Sequence, residues 1–370
     1  MKFQIEFKKK TLITTAIAFL VMLGFCLYSG KTPLMALLFG VIYFGIKNIN
    51  VELSSKLNGL WLTLEVLVCS VFTELLIRHM LLTPEDRIRL TNEKWLLNVL
   101  CCMVAYLVMI CVTARPKIAC MITYIFLMSL AGINYFVYQF RQNEFSFNDL
   151  KAISTGLSVA SEYHFAMDTR AAMAVVLSIV FVAAIRKINL KFKRVYMLRG
   201  VTLCVAVVSV VYLAIKTENI VTETWEQKGT YRNGYILNFV LGIRDSFVEK
   251  PEGYSVDTIK MLEDKYGVTE VDATSEDADE APVIIAVMNE SFADLSVIGD
   301  MLTNAEVMPF LDSMHTNVTK GYALSSVFGA KTPNSEWEFL TGNTMAYLPS
   351  GSVAYQQYVS DGAYSLVGTL

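Results

Sequence analysis

Five long apolar runs dominate the first 216 residues: Thr11–Ser29, Leu57–Ile77, Trp95–Thr113, Ile118–Tyr138 and Gly200–Ile215. A helix that crosses a bilayer needs about 20 mostly apolar residues, so each run predicts a membrane-spanning helix. Two shorter runs, Pro33–Ile46 and Ala171–Ile185, either span with the help of their flanks or are re-entrant, which gives five to seven spans. The first run follows "KFQIEFKKK", which looks like the start of a signal peptide. Its apolar stretch is too long for that, and further spans follow, so it reads as a retained helix.

Between these runs and after them the pattern changes. "RQNEFSFNDLKAISTGLSVASEYHF" is too polar to span, yet it spaces Phe145, Phe147, Leu150, Ile153 and Leu157 as a helix lying on the membrane surface would. A second surface helix is expected over "YRNGYILNFVLGIRDSF", and "EVDATSEDADEAP" reads as an acidic tether. Then Val283–Val287 forms a continuous β-branched and apolar run, as expected of a strand buried on both faces of a parallel sheet. "NAEVMPFLDSMHTNVTKG" predicts a helix closing at Gly321, "YALSSVFG" a second strand, and "GAKTPNSEWEFLTGN" a loop and a helix ending at Gly342. The predicted organisation is a multi-spanning α-helical membrane domain (1–216), a juxtamembrane helix with an acidic linker (217–281) and an α/β domain (282–370).

Composition supports that division. Hydrophobic residues make up 54% of the chain and charged residues only 18%, which is wrong for an ordinary soluble domain. Residues 1–250 carry 27 Lys and Arg against 16 Asp and Glu, a net of +11, while 251–370 carry 4 against 18, a net of −14. The basic loop with Arg186, Lys187, Lys191, Lys193, Arg194 and Arg199 is the strongest topological signal. By the positive-inside rule it places the N-terminus inside and the acidic part on the outer face of the cell membrane. An acidic outer part gives no footing for a nucleic-acid partner. All seven cysteines lie in apolar runs of the first part, so no disulfide framework or cysteine metal site is expected in the second. Glu65 and Glu74 fall within one span; a pairing of Glu74 with Arg78, four residues on, is the expected arrangement, and Glu65 stays open.

Two positions in the acidic part carry candidate chemistry. Glu290 follows the Val283–Val287 run, at the kind of strand end where α/β sheets bind ligands, or where a carboxylate simply caps a turn. Thr332 precedes Pro333, which suits an N-cap followed by proline in the first helical turn. A threonine in that position is either a helix start or also a nucleophile.

Together "NESF" after a strand, "MPFLDSM", "GAKTPNSEWEF" and "LPSGS" resemble the outer domain of lipoteichoic acid synthases. Those are membrane-anchored phosphoglycerol transferases with an alkaline-phosphatase/sulfatase-like catalytic fold, and the resemblance extends to the layout of spans before it. It implies that Thr332 is the nucleophile, that Glu290 and Thr332 bind a divalent metal, usually manganese, and that Lys331 binds substrate beside the nucleophile. It also implies a phosphatidylglycerol donor, a cell-surface polymer or glycolipid acceptor, and a phospho-threonine intermediate.

The family completes its metal site with an Asp-His pair well downstream of the nucleophile, whereas this chain ends 38 residues after Thr332. Of its histidines only His315 lies in the acidic part, and it reads as a surface residue. The chain is therefore expected to be the first part of a longer protein and to lack turnover alone. A phosphoethanolamine transferase or hydrolase of the same fold, or a non-catalytic membrane protein, are the alternatives. The C-x-P-x-R or S-x-P-x-R element of a sulfatase is absent.

Overall fold

A computed structural model of the chain describes residues 2–7, 9–52, 55–87, 90–141, 143–152, 166–222, 228–248, 250, 252–267, 283–289, 292–299, 302–327, 331–349, 352–359 and 363–369. It divides into two compact units, Met1–Phe247 with Pro349–Gly351, and Val248–Leu348 with Ser352–Leu370.

The first unit is a helical bundle. Its elements are strand β1 (Lys2–Ile5), helices α1 (Lys9–Tyr28) and α2 (Pro33–Asn48), strand β2 (Ile49–Glu52), then α3 (Asn58–Leu81), α4 (Pro84–Arg87), α5 (Asn92–Thr113) and α6 (Pro116–Arg141). After these come α7 (Thr169–Ile185), α8 (Val195–Thr217), α9 (Lys228–Asn233) and α10 (Tyr235–Arg244). Among the described residues, five helices are long and apolar enough to cross a membrane: α1, α3, α5, α6 and α8. They coincide with the five long runs of the sequence. The shorter α2 and α7, of 16 and 17 residues, reach only about 24–26 Å at 1.5 Å per residue, short of a hydrocarbon core of about 30 Å. On α8, Val207, Val208, Val211 and Ile215 are all more than half exposed, an apolar face that suits lipid rather than water. The N-terminal residues do not simply precede α1. Lys2–Ile5 pair antiparallel with Ile49–Glu52, Lys2 opposite Glu52 and Ile5 opposite Ile49.

The centre of the bundle is formed by α3, α5 and α6, with Leu76, Cys102, Tyr106, Ile110, Cys120 and Tyr124 buried among them. Inside it, the hydroxyls of Thr73 and Tyr106 share a hydrogen bond of 2.8 Å. The sequence pairs Glu74 with Arg78; the structure does not. Trp95 Nε1 donates to Glu74 at 2.5 Å, and Arg78 turns to the carbonyl of Arg87. An indole N–H from the neighbouring helix reaches the buried carboxylate directly, whereas the Arg78 side chain is taken up by the carbonyl at the end of α4, and Arg87 in turn closes the C-terminal end of α3 on the carbonyls of His79 and Leu82. Glu65 is buried beside Cys120.

The described part of the first segment expected on the membrane surface, residues 143–152, and the second segment instead pack into the bundle. Glu144 is 3% exposed and accepts hydrogen bonds from the Thr230 amide (2.5 Å) and from Asn238 Nδ2 (3.0 Å). Phe145 is buried, with its amide on Asn134 Oδ1 at 2.7 Å, and Phe147–Ala152 form a 3-10 turn; Ile153 and Leu157 lie outside the described residues. The predicted helix over Tyr231–Phe247 is broken at Gly234, whose φ of 81° leaves the helical region. Asn98 holds both sides of the break: its Nδ2 donates to the Asn233 carbonyl at 2.6 Å and its Oδ1 accepts from the Leu237 amide at 2.9 Å. Tyr235, Leu237 and Leu241 are buried as a result. Buried polar groups need partners, and these asparagines and Glu144 supply them to each other and to backbone ends. Arg244 closes the segment on the carbonyls of Thr217 (2.7 Å) and Ile220 (2.9 Å).

The second unit contains α11 (Val256–Tyr266), α12 (Pro309–Ser313), α13 (Thr332–Thr341), α14 (Ala354–Gln357) and α15 (Leu366–Thr369). The two strands expected here are not formed among the described residues. Val283, Ile285 and Val287 are each more than 80% exposed and unpaired with any strand, and Tyr322–Val327 likewise run without one. A strand apolar on both faces holds only when neighbours bond its backbone and cover both sides, and no described segment does so for either run. The helix expected to reach Gly321 stops at Ser313, and His315 beyond it is exposed.

Candidate active site

Thr332 and Pro333 form the first two residues of α13, and Lys331 precedes them at φ −132° and ψ 50°. The sequence makes Thr332 the N-cap; the backbone gives that place to Lys331. The N-cap is the residue whose carbonyl accepts the first helical bond, and the Asn334 amide donates to Lys331 O at 2.9 Å. No side chain caps the turn. The supply of helix-end N–H groups is correspondingly thin, because Pro333 has none and Asn334 has already donated its own. Thr332 and Lys331 are both half-buried.

Behind Thr332 the helix is held by two side chains. Asn334, 3% exposed, donates from Nδ2 to the Ser352 carbonyl and accepts at Oδ1 from the Ala354 amide, each at 2.9 Å. It splints residues 352–354 to the first turn as a backbone strand would. One turn on, Glu338 accepts from the Met345 amide (2.6 Å), from Thr344 Oγ1 (3.2 Å) and from Ser326 Oγ. Desolvation alone would raise the Glu338 pKa, but the donors from Ser326, Met345 and Thr344 outweigh it and hold the carboxyl below its ordinary value. Glu336 is exposed and accepts from Tyr355 OH at 3.3 Å; burial and that carboxylate push the phenol above its usual value. Trp337 is 8% exposed, and Gly342, at φ 69°, ends the helix with its amide on Glu338 O at 2.9 Å. The result is a short helix held behind its first turn by Asn334 and farther along by Glu338, with Thr332 at its start.

Of the three residues singled out in the sequence, the structure brings Lys331 and Thr332 together as chain neighbours at that start, and Glu290 lies outside the described residues. Among the described residues no three His, Cys, Asp or Glu side chains gather as a metal site would require. Thr332 alone does not complete a metal site, which takes three or more protein ligands. Asn334 and Glu338, which position the helix, were not singled out from the sequence. Their signal was weak: one asparagine and one glutamate on a ten-residue helix, whose partners lie 6 to 20 residues away.

No family model and no solved structure matches the chain. It is similar to a protein of Rhizobium meliloti (strain 1021) named for cyclic beta-1,2-glucan modification, with 34% identity over 143 residues. The match covers 38% of this chain and 21% of that relative, so it spans about a fifth of the relative's length.

Proposed function

We propose that this protein is a membrane-bound transferase that moves glycerol phosphate from phosphatidylglycerol to a hydroxyl group of a glucan, with Thr332 as nucleophile. The observation that carries the proposal is Thr332 at the start of a helix fixed from behind by Asn334 and Glu338. The five apolar spanning helices support a lipid donor, and the relative's name supports a glucan as acceptor in place of a teichoic polymer. Glu290 belongs to the proposal as the carboxylate metal ligand, with manganese as the metal.

In the first step Thr332 Oγ attacks phosphorus, the bond from phosphorus to the diacylglycerol oxygen breaks, and the threonine proton ends on that oxygen. In the second an acceptor hydroxyl attacks the phospho-threonine, the bond to Oγ breaks, and the acceptor's proton returns to Thr332. Lys331 supplies positive charge for the phosphate oxygens. A threonine hydroxyl is a weak nucleophile, so its activation is where the rate is decided.

The test uses membranes from cells that make the protein from its own reading frame. Phosphatidylglycerol labelled in its glycerol head group is supplied with cyclic beta-1,2-glucan. Label should enter the glucan as diacylglycerol appears in equal amount, chelation with EDTA should stop both, and manganese should restore them. Thr332→Ala should abolish transfer at unchanged protein level, since a first-turn Thr→Ala change costs well under about 1 kcal/mol. Wild-type transfer by Thr332→Ala would leave Thr332 as a helix start and nothing more.

A further inference from the structure

Within the bundle, α2, α6 and α7 border an open cavity of about 500 Å³. Its lining on α7 recurs every three or four residues from Ala171 to Arg186, so the cavity follows one face of that helix for about 22 Å. That exceeds the half-thickness of a bilayer core, about 15 Å. The wall is apolar, with Met128, Phe136 and Ile179 among its residues, and small residues at Gly132 and Ala174 provide the room. A Cβ added at Gly132 would meet nothing within 4 Å.

The two ends differ. Near Tyr135 and Met167 no cation lines the cavity: Arg170 pairs with Asp168 at 2.8 Å, Arg87 donates to the carbonyls of Leu82 and His79, each at 3.2 Å, and Lys31 lies within electrostatic reach of His79. At the other end Lys47 and Arg186 line the cavity themselves. Neither makes an ion pair among the described residues. Lys47 lies 6.0 Å from the Tyr43 ring centroid. A long apolar slot closed at one end by these two cations, which pair with no acidic side chain among the described residues, is complementary to an amphiphile with an anionic head. A free phosphate has nothing to gain from the wall, and a zwitterionic lipid gains less from the cations.

We propose that this cavity binds one anionic phospholipid, with an acyl chain along α7 and the phosphate between Lys47 and Arg186. The inference does not rest on Thr332 or on the transfer reaction. A cation near an anionic lipid surface is worth about fivefold in binding, so two should favour an anionic over a zwitterionic lipid by about thirtyfold. The full chain is purified, exchanged into mild detergent with defined amounts of phosphatidylglycerol or phosphatidylcholine, and weighed intact by native mass spectrometry. One phosphatidylglycerol should be retained in preference to phosphatidylcholine. The double variant Lys47→Gln/Arg186→Gln should erase the preference while both lipids still bind weakly. Gly132→Leu, which fills the slot and leaves the cations, should reduce retention of both lipids. Folding of each variant is checked by helical circular dichroism and a single gel-filtration peak. Equal retention of the two lipids by the wild type would overturn the proposal, as would unchanged retention in a folded Lys47→Gln/Arg186→Gln or Gly132→Leu protein.

Discussion

Replacing Asn334 by alanine tests whether the start of α13 is held from behind. Asn334 makes two hydrogen bonds of 2.9 Å to residues 352–354, a segment in which Ser352 is 1% and Ala354 0% exposed. The substitution removes both and leaves the Ala354 amide buried without its acceptor. A buried polar group stripped of its partner costs about 1–3 kcal/mol, and the lost second bond about 1 kcal/mol more, for a local cost of roughly 2–4 kcal/mol. At 1.4 kcal/mol per tenfold, the opening equilibrium of this segment should rise roughly 25- to 700-fold. Amide hydrogen exchange followed by mass spectrometry reads this directly in peptides covering 352–359. Peptides from the exposed helix Val256–Tyr266 should be unaffected and serve as the control. Because opening of this segment releases the first turn, transfer should fall with it. Exchange in 352–359 unchanged within threefold would refute the splint and remove the reason for expecting Thr332 to be held in place.

Glu338 makes the second unit acid-sensitive. Its folded pKa lies below its ordinary value of 4.5, so the stability it contributes is present above that pH and is lost as pH falls through the folded value. Glu338→Gln should flatten that acid limb in a proteolysis titration; an unchanged limb would remove Glu338 from its cause. Gly234→Ala should destabilise the bundle by about 1–3 kcal/mol, because φ is 81° and an added Cβ would run into the Asn98 side chain. Thermal unfolding checks it, and a wild-type midpoint would mean that Asn98 yields without cost. A reporter fused after Tyr254 should be active only in its exported form, as the basic loop Arg186–Arg199 requires. Cytoplasmic activity there would reverse the orientation and remove the lipid-donor argument.

The five spans were legible because a hydrocarbon solvent demands unbroken apolar runs, and such runs stand out in any sequence. The outline of α13 was legible for a local reason, the Thr332-Pro333 start and the Gly342 stop. What was not legible depends on partners far away in the chain. Glu144 reads as one charge in a polar surface segment until Asn238 and Thr230 are brought to it. Asn98 reads as one polar interruption in a span until residues 233–237 close on it. The Val283–Val287 run has no strand partner among the described residues for a related reason: apolar character says that a segment would prefer burial, not that a neighbour is there to bury it.

The clasp formed by Asn98, Glu144, Asn233 and Asn238 has a consequence for the order in which the chain is made. Asn98 and Glu144 are made with the α5 and α6 part of the bundle, but Asn238 follows Glu144 by 94 residues and Leu237 follows Asn98 by 139. At about 5–20 residues per second, synthesis takes roughly 5–20 s to cover the shorter interval and about 7–28 s to cover the longer one. During that time Asn98 keeps the Lys94 carbonyl of its own helix but has neither the Asn233 carbonyl nor the Leu237 amide, and Glu144 has neither Asn238 nor the Thr230 amide. The bundle is therefore most exposed to mispairing and to quality control while α7 and α8 are being inserted, and its assembly is completed only when the residues that follow the last span fold back onto it.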